Sequence, residues 1–174
     1  MGATMLRCGL ILFSAAMSQG ALAADPAAVR FVQAARFDYT TKLATTLALE
    51  GKIPKESLDC VAAIPLSTYT TNIASFVESR LGAEDLAAAT SFYESSVGKK
   101  YTQYGIAQFH TLKGIPSDVE SPVITDGDMQ KIVAFSRTSA GSRLMNREFP
   151  RDMVLATKAW EDEALGACGV ADAP

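Results

Sequence analysis

The sequence predicts an all-α fold: a compact bundle of six or seven helices that contains two tandem helix–turn–helix hairpins. Three observations carry that expectation. No segment sustains the period-two alternation of β-branched residues that a strand needs. Apolar residues instead recur at three- and four-residue steps through most of the chain. The stretch FYESSVGKKY, Phe92 to Tyr101, also returns as FSRTSAGSRL, Phe135 to Leu144, displaced by 43 positions. Two copies are too few for a solenoid, which needs about three or more. A bundle closed by the N- and C-terminal helices is therefore expected.

The first 23 residues stand apart. MGATMLR carries Arg7, CGLILFSAAM is a short apolar run, and ALA at 21–23 precedes Ala24-Asp25. That is the pattern of a signal peptide with a small-residue cleavage site near Ala23. Cys8 lies before the apolar run rather than at the cleavage site, so a lipid anchor is not expected. Residues 24–174 are expected to form a single all-α domain located in the periplasm.

Asp25-Pro26 reads as N-cap and first helical residue. Val29, Val32, Ala35, Tyr39, Leu43 and Leu47 then mark one apolar helix face, ended by Gly51. Lys55 to Ile64 is a short helix holding Cys60, stopped near Pro65. Tyr69, Ile73, Phe76, Val77 and Leu81 share the next face, with Gly82 as C-cap.

The repeat units are placed at about 84–113 and 127–149. In the first, Glu84-Asp85 favour a helix start. Leu86, Ala89, Thr90 and Tyr93 form the inner face beside Phe92. Ser95-Ser96 cap a helix beginning near Val97, which carries Tyr101, Tyr104 and Gln108 to Gly114. The polar linker GIPSDVESPVITDG follows. In the second unit, Thr125 to Asp128 reads as a capping box. Met129, Ile132, Val133 and Phe135 answer to Leu86, Ala89, Thr90 and Phe92. Thr138-Ser139 answer to Ser95-Ser96, Gly141 to Gly98, and Arg143-Leu144 to Lys100-Tyr101. Pro150 interrupts or kinks the next helix. Met153, Ala156, Thr157, Trp160 and Ala164 then form a last amphipathic face.

The repeat is expected to be a packing device. Gly inside a helix costs about 1 kcal/mol relative to Ala, so Gly98 and Gly141 imply that something approaches closely. The competing reading is an anion site at the helix start beside Lys99-Lys100. Lys99 becomes Ser142 in the second copy, which favours the packing reading.

FYESSVGKKY, preceded by Glu84-Asp85-Leu86, resembles the aromatic-Tyr-x-Ser-x-x-Gly-Lys signature of a secreted bacterial family, the domain of unknown function 2059. The resemblance covers about 84–105. That family often has Pro where this chain has Ser96. The resemblance implies a helical, exported protein without assigned activity, and brings no catalytic residue with it.

Without residues 1–23 the chain keeps 15 Lys and Arg against 19 acids, a net charge of −4. There is no basic block, so nucleic acid is not the expected partner. No second apolar segment approaches the length of a membrane span. Two cysteines remain, Cys60 and Cys168, and in an oxidising compartment they are expected to pair. They form no CxxC redox motif.

Chemistry is sparse. His110 is the only histidine, and no serine sits in a GxSxG elbow. FHTLKG reads as a helix end, where a cation suits the dipole. One His and two distant Cys do not supply a metal site, and the DGD at 126–128 falls short of a calcium loop. Glu84-Asp85 and Asp126-Asp128 sit at helix starts, and Glu161-Asp162-Glu163 reads as a solvated face. No cofactor motif occurs. Tyr93, Tyr101, Tyr104 and Phe109 are core residues by spacing, or else line a groove between the hairpins. The expectation is a non-catalytic factor whose partner is another envelope protein. The alternatives are a carrier of a small apolar ligand and, behind it, a hydrolase using carboxylates or His110.

Overall fold

The computed structural model describes residues 24–116 and 120–170. The expected leader, 1–23, and part of the linker, 117–119, lie outside the described residues. Among the described residues the chain is all helical, with nine helices and no strand. They are α1 (Pro26–Ala35), α2 (Phe37–Leu49), α3 (Lys55–Ala63), α4 (Leu66–Arg80), α5 (Ala83–Glu94), α6 (Ser96–Lys113), α7 (Asp126–Ser136), α8 (Ser139–Leu144) and α9 (Glu148–Ala167). No single one of these is long and apolar enough to cross a membrane; α3 and α4 reach that length only together, and they are bent by 63°.

Two local features differ from the expected pattern, and the first of them adds a helix. First, the expected single helix from Pro26 towards Gly51 is broken at Arg36, whose backbone is left-handed at φ 59° and ψ 28°. Its N–H donates to the carbonyls of Val32 and Gln33, which closes α1, and α2 restarts at Phe37. Val32 and Ala35 are buried, while Tyr39, Leu43 and Leu47, beyond the break, are half-buried. A left-handed non-glycine residue costs roughly 1–2 kcal/mol. Phe31 and Phe37 flank the elbow and meet edge-on at 5.6 Å, so core packing holds the bend. Second, Pro150 does not interrupt a helix. It lies in the first turn of α9, where its missing N–H is not needed. The Asn146 side chain accepts from the N–H groups of Glu148 and Phe149 and starts that helix. Gly82, expected as a C-cap, is instead the N-cap of α5, and Leu81 closes α4.

The main core lies where α1 packs between α4 and α5. It holds Phe31, Val32, Tyr69, Ile73, Phe76, Val77, Leu86 and Tyr93. Fully burying a side chain such as Phe31 or Ile73 contributes roughly 1.5–3 kcal/mol. Buried Asp38 accepts from the Thr70 hydroxyl at 2.8 Å and ties α2 to α4. A smaller cluster of Leu49, Val61, Leu165 and Val170 lies beside the Cys60–Cys168 disulfide, which joins α3 to the end of α9 across 108 positions.

The hairpins α5–α6 and α7–α8 share their turn chemistry atom for atom. The Ser95 hydroxyl accepts from Gly98 N at 3.0 Å and donates to Phe92 O at 2.6 Å. The Thr138 hydroxyl accepts from Gly141 N at 3.1 Å and donates to Phe135 O at 2.7 Å. Ser95 and Thr138 are thus the caps, while Ser96 and Ser139 are first helical residues. The close approach at each glycine comes from within its own hairpin. A Cβ on Gly98 would overlap Phe92 O and lie 2.6 Å from Tyr93 Cα. One on Gly141 would overlap Phe135 O and lie 2.6 Å from Phe135 C. The correspondence runs from 83–101 to 126–144 and stops there, because α6 continues to Lys113 whereas α8 ends at Leu144.

The cleft beneath α6, a candidate functional site

Capping by Ser95 fixes the start of α6 on α5, and the αL residue Arg36 turns α2 away from α1. The outer half of α6 consequently leans over α2 without close packing. The polar contact there is Tyr39 Oη to His110 Nε2, at 3.5 Å. Hollow space remains on both sides of α6.

On one side, a cleft of ≈ 860 Å³ lies between the α1–α2 elbow and α6. Arg30, Arg36, Glu94 and Lys99 line it, with Tyr39, Tyr93, Thr102 and Ile106. On the other side, a cleft of ≈ 570 Å³ is lined by Phe37, Tyr101, Tyr104, Leu144, Phe149 and Met153. Tyr93, Thr102 and Ile106 line both, so the two meet beneath α6. A third cleft, ≈ 860 Å³, follows α2 and α9 and includes Phe109 and Glu161.

The four aromatics expected to share one groove are thereby divided. Tyr93, Tyr101 and Tyr104 meet in the cleft that α6 forms with the starts of α2 and α9, not between the two hairpins, whereas Phe109 faces the α2–α9 cleft. Helical spacing could not separate them, because α2 and α9 enter from distant parts of the chain. Tyr93 is also a core residue, with Phe31, Phe92, Tyr101 and Phe135 around its ring. Burial raises its phenol above the ordinary tyrosine range, with the neighbouring Tyr101 adding to the rise, so it stays protonated and can donate.

The charges at the cleft mouth differ in how they are engaged. Arg30 and Glu94 form a bidentate pair with both distances 2.6 Å. Each raises or lowers the other's pKa in the direction that keeps both charged. Arg36 and Lys99 have no ion pair among the described residues. Arg36 lies over the Tyr39 ring at 4.9 Å. At the junction of the two clefts, the Thr102 hydroxyl is buried and lacks a hydrogen-bond partner. Two cations without an ion pair, a neutral phenol and an unused hydroxyl therefore line one cleft, next to an aromatic wall. Such a set suits the anionic head of a ligand whose body is apolar.

The other candidates take different places. Lys100, expected beside Lys99, is held instead by Asp128 at 2.8 Å. His110 stands in the last turn of α6, as expected, and is buried there against α2 with Nδ1 unpartnered. Glu161, read as solvated, is half-buried and accepts from Thr45 at 3.3 Å. Burial raises its pKa. Among the described residues no three His, Cys, Asp or Glu side chains gather as a metal site. Arg36 and Lys99 were not legible as a pair, because an unpaired cation in sequence reads as ordinary surface. The elbow that brings Arg36 round has no glycine to announce it.

No family model matches the chain, and neither a curated protein nor a solved structure matches it.

Proposed function

We propose that this is an exported, non-catalytic binding protein that holds an amphipathic anion, such as a medium-chain carboxylate, in the cleft beneath α6. The observation that carries the reading is the combination of two cations without an ion pair, Arg36 and Lys99, with a cleft walled by Phe37, Tyr101, Phe149 and Met153. The head group would meet Arg36 and Lys99 and accept from Tyr93 and Thr102. The tail would pass beneath Ile106 into the aromatic cleft. The volumes fall within the range typical of small-ligand sites, about 300–1,000 Å³. A periplasmic location is supported by the leader-like pattern of residues 1–23 and by the disulfide, which fits an oxidising compartment.

The test compares laurate with dodecanol by isothermal titration. Laurate should bind, and dodecanol, which shares the chain but not the charge, should bind at least about tenfold more weakly. Arg36→Ala with Lys99→Ala should remove that advantage and leave dodecanol unchanged. Equal binding of the two, or no binding at millimolar ligand, would defeat the proposal.

A further inference from the structure

The two hairpins pack on each other about a local twofold. Asp85 pairs with Arg143 at 3.3 Å and Lys100 with Asp128 at 2.8 Å. Positions 85 and 128 correspond in the repeat, as do 100 and 143, so each copy gives an acid and receives a cation. α8 packs on α5 as α6 packs on α7. Phe92 and Phe135, also equivalent, stack across the axis at 3.9 Å with planes 3° apart. This is the reciprocal pattern of a twofold dimer, built within one chain.

The outer faces break that symmetry. On α5 the face is covered by α1, leaving Leu86 4% and Thr90 9% exposed. Phe31 of α1 meets Tyr93 edge-on at 5.6 Å, and Arg30 binds Glu94. The equivalents on α7, Met129 and Val133, are 50% and 39% exposed. The sequence pattern assigned both to an inner face. In fact the elements packed closely on α7 among the described residues are α6 and α8, and no described helix packs on α7 as α1 packs on α5. The position of Glu94 is taken by exposed Arg137. The face keeps the apolar spacing of a helix-docking stripe, with its charge reversed.

We propose that Met129, Val133 and Arg137 form a docking site for an amphipathic helix of a partner protein, lying on α7 as α1 lies on α5 and carrying Asp or Glu where α1 carries Arg30. Two segments of the chain itself do not fit this requirement. Residues 1–23 contain no acid, and α1 of a second copy would bring Arg30 against Arg137. The site is separate from the cleft beneath α6 and does not depend on a ligand there.

The probe is a stapled helical peptide of residues 24–36 bearing Arg30→Glu, titrated into the ¹⁵N-labelled protein and followed by amide shifts. The unmodified sequence is the control. Glu at that position disfavours displacement of the protein's own α1, because it would face Glu94. The charge-swapped peptide should perturb residues 129–137 and bind about tenfold more tightly than the control. Arg137→Glu should reverse the order, and Met129→Glu should abolish both. All three positions are exposed, so these variants should fold. Equal affinities, shifts confined to other helices, or no shifts at millimolar peptide would overturn the proposal. Self-association in sedimentation that Arg137→Glu abolishes would also overturn it, by assigning the face to a second copy of the chain.

Discussion

Replacing Gly98 by Ala tests the hairpin at its tightest point. In an exposed helix interior, Gly→Ala stabilises by about 1 kcal/mol. Gly105, further along α6 with open space around its Cα, should behave in that way. At Gly98 the new methyl would overlap Phe92 O and stand 2.6 Å from Tyr93 Cα. Carbon atoms in contact prefer about 3.5–4.0 Å, so backbone must retreat by roughly 1 Å. The carbonyl that must move accepts from both the N–H and the hydroxyl of Ser95. Phe92, which carries that carbonyl, is stacked on Phe135. Overpacking of this kind costs roughly 1–3 kcal/mol, and loosening the cap adds about 1. Offset by the propensity gain, the net loss is about 1–3 kcal/mol. For a domain near 150 residues that lowers Tm by roughly 2–12 °C. Thermal unfolding followed by circular dichroism at 222 nm should show Gly98→Ala and Gly141→Ala falling together, while Gly105→Ala rises slightly. If Gly98→Ala matches or exceeds Gly105→Ala, the close approach is not a constraint and the account of the repeat fails.

Removal of the disulfide by Cys60→Ser with Cys168→Ser should cost up to about 4–5 kcal/mol in the chain-entropy model, read as a lower urea midpoint. Hydrogen exchange in that variant should accelerate first around Leu49, Val61 and Leu165, which form the cluster beside the bridge. The Asp128 carboxyl is held down to about 2 by hydrogen bonds from Lys100 and from the backbone and hydroxyl of Thr125. Its folded pKa is depressed, so its stabilisation is present above about pH 4 and lost as the pH falls through about 2. Asp128→Asn should therefore lower Tm at pH 7, and the gap to the parent protein should close near pH 2. Arg36→Gly should relieve the left-handed strain and raise stability by up to about 1 kcal/mol, while weakening laurate binding. A variant that loses stability and keeps binding would place the value of Arg36 in the fold rather than in the cleft.

Much of the fold was legible because its signals are local. Asp25 accepts from Ala27 N beside Pro26, and the Thr125–Asp128 capping box is complete. The hydroxyl caps and glycines of the repeat depend on neighbours within six positions, so one motif could be matched to the other. The elbow at Arg36 was hidden because tertiary packing of Phe31 and Phe37 imposes it against residue preference. Met129 and Val133 were misplaced for a related reason. Periodicity reports which residues share a helix face, but not whether a partner helix covers it. The cations of the cleft escaped for a third reason: they come from Arg36 and Lys99, far apart in sequence, and no local pattern links them.

The Cys60–Cys168 bond also has a mechanical meaning. It closes the chain into a covalent ring that contains α4 to α9, both hairpins included, and leaves α1 and α2 outside as a handle. Pulled from its ends, the oxidised protein can surrender α1, α2 and part of α3, and then stops. The 108 positions inside the ring, worth roughly 370 Å of extended chain, stay out of reach until the bond is reduced. α1, which seals the face of α5, is therefore the piece that force can peel away, and the twofold pair of hairpins is the piece it cannot draw out.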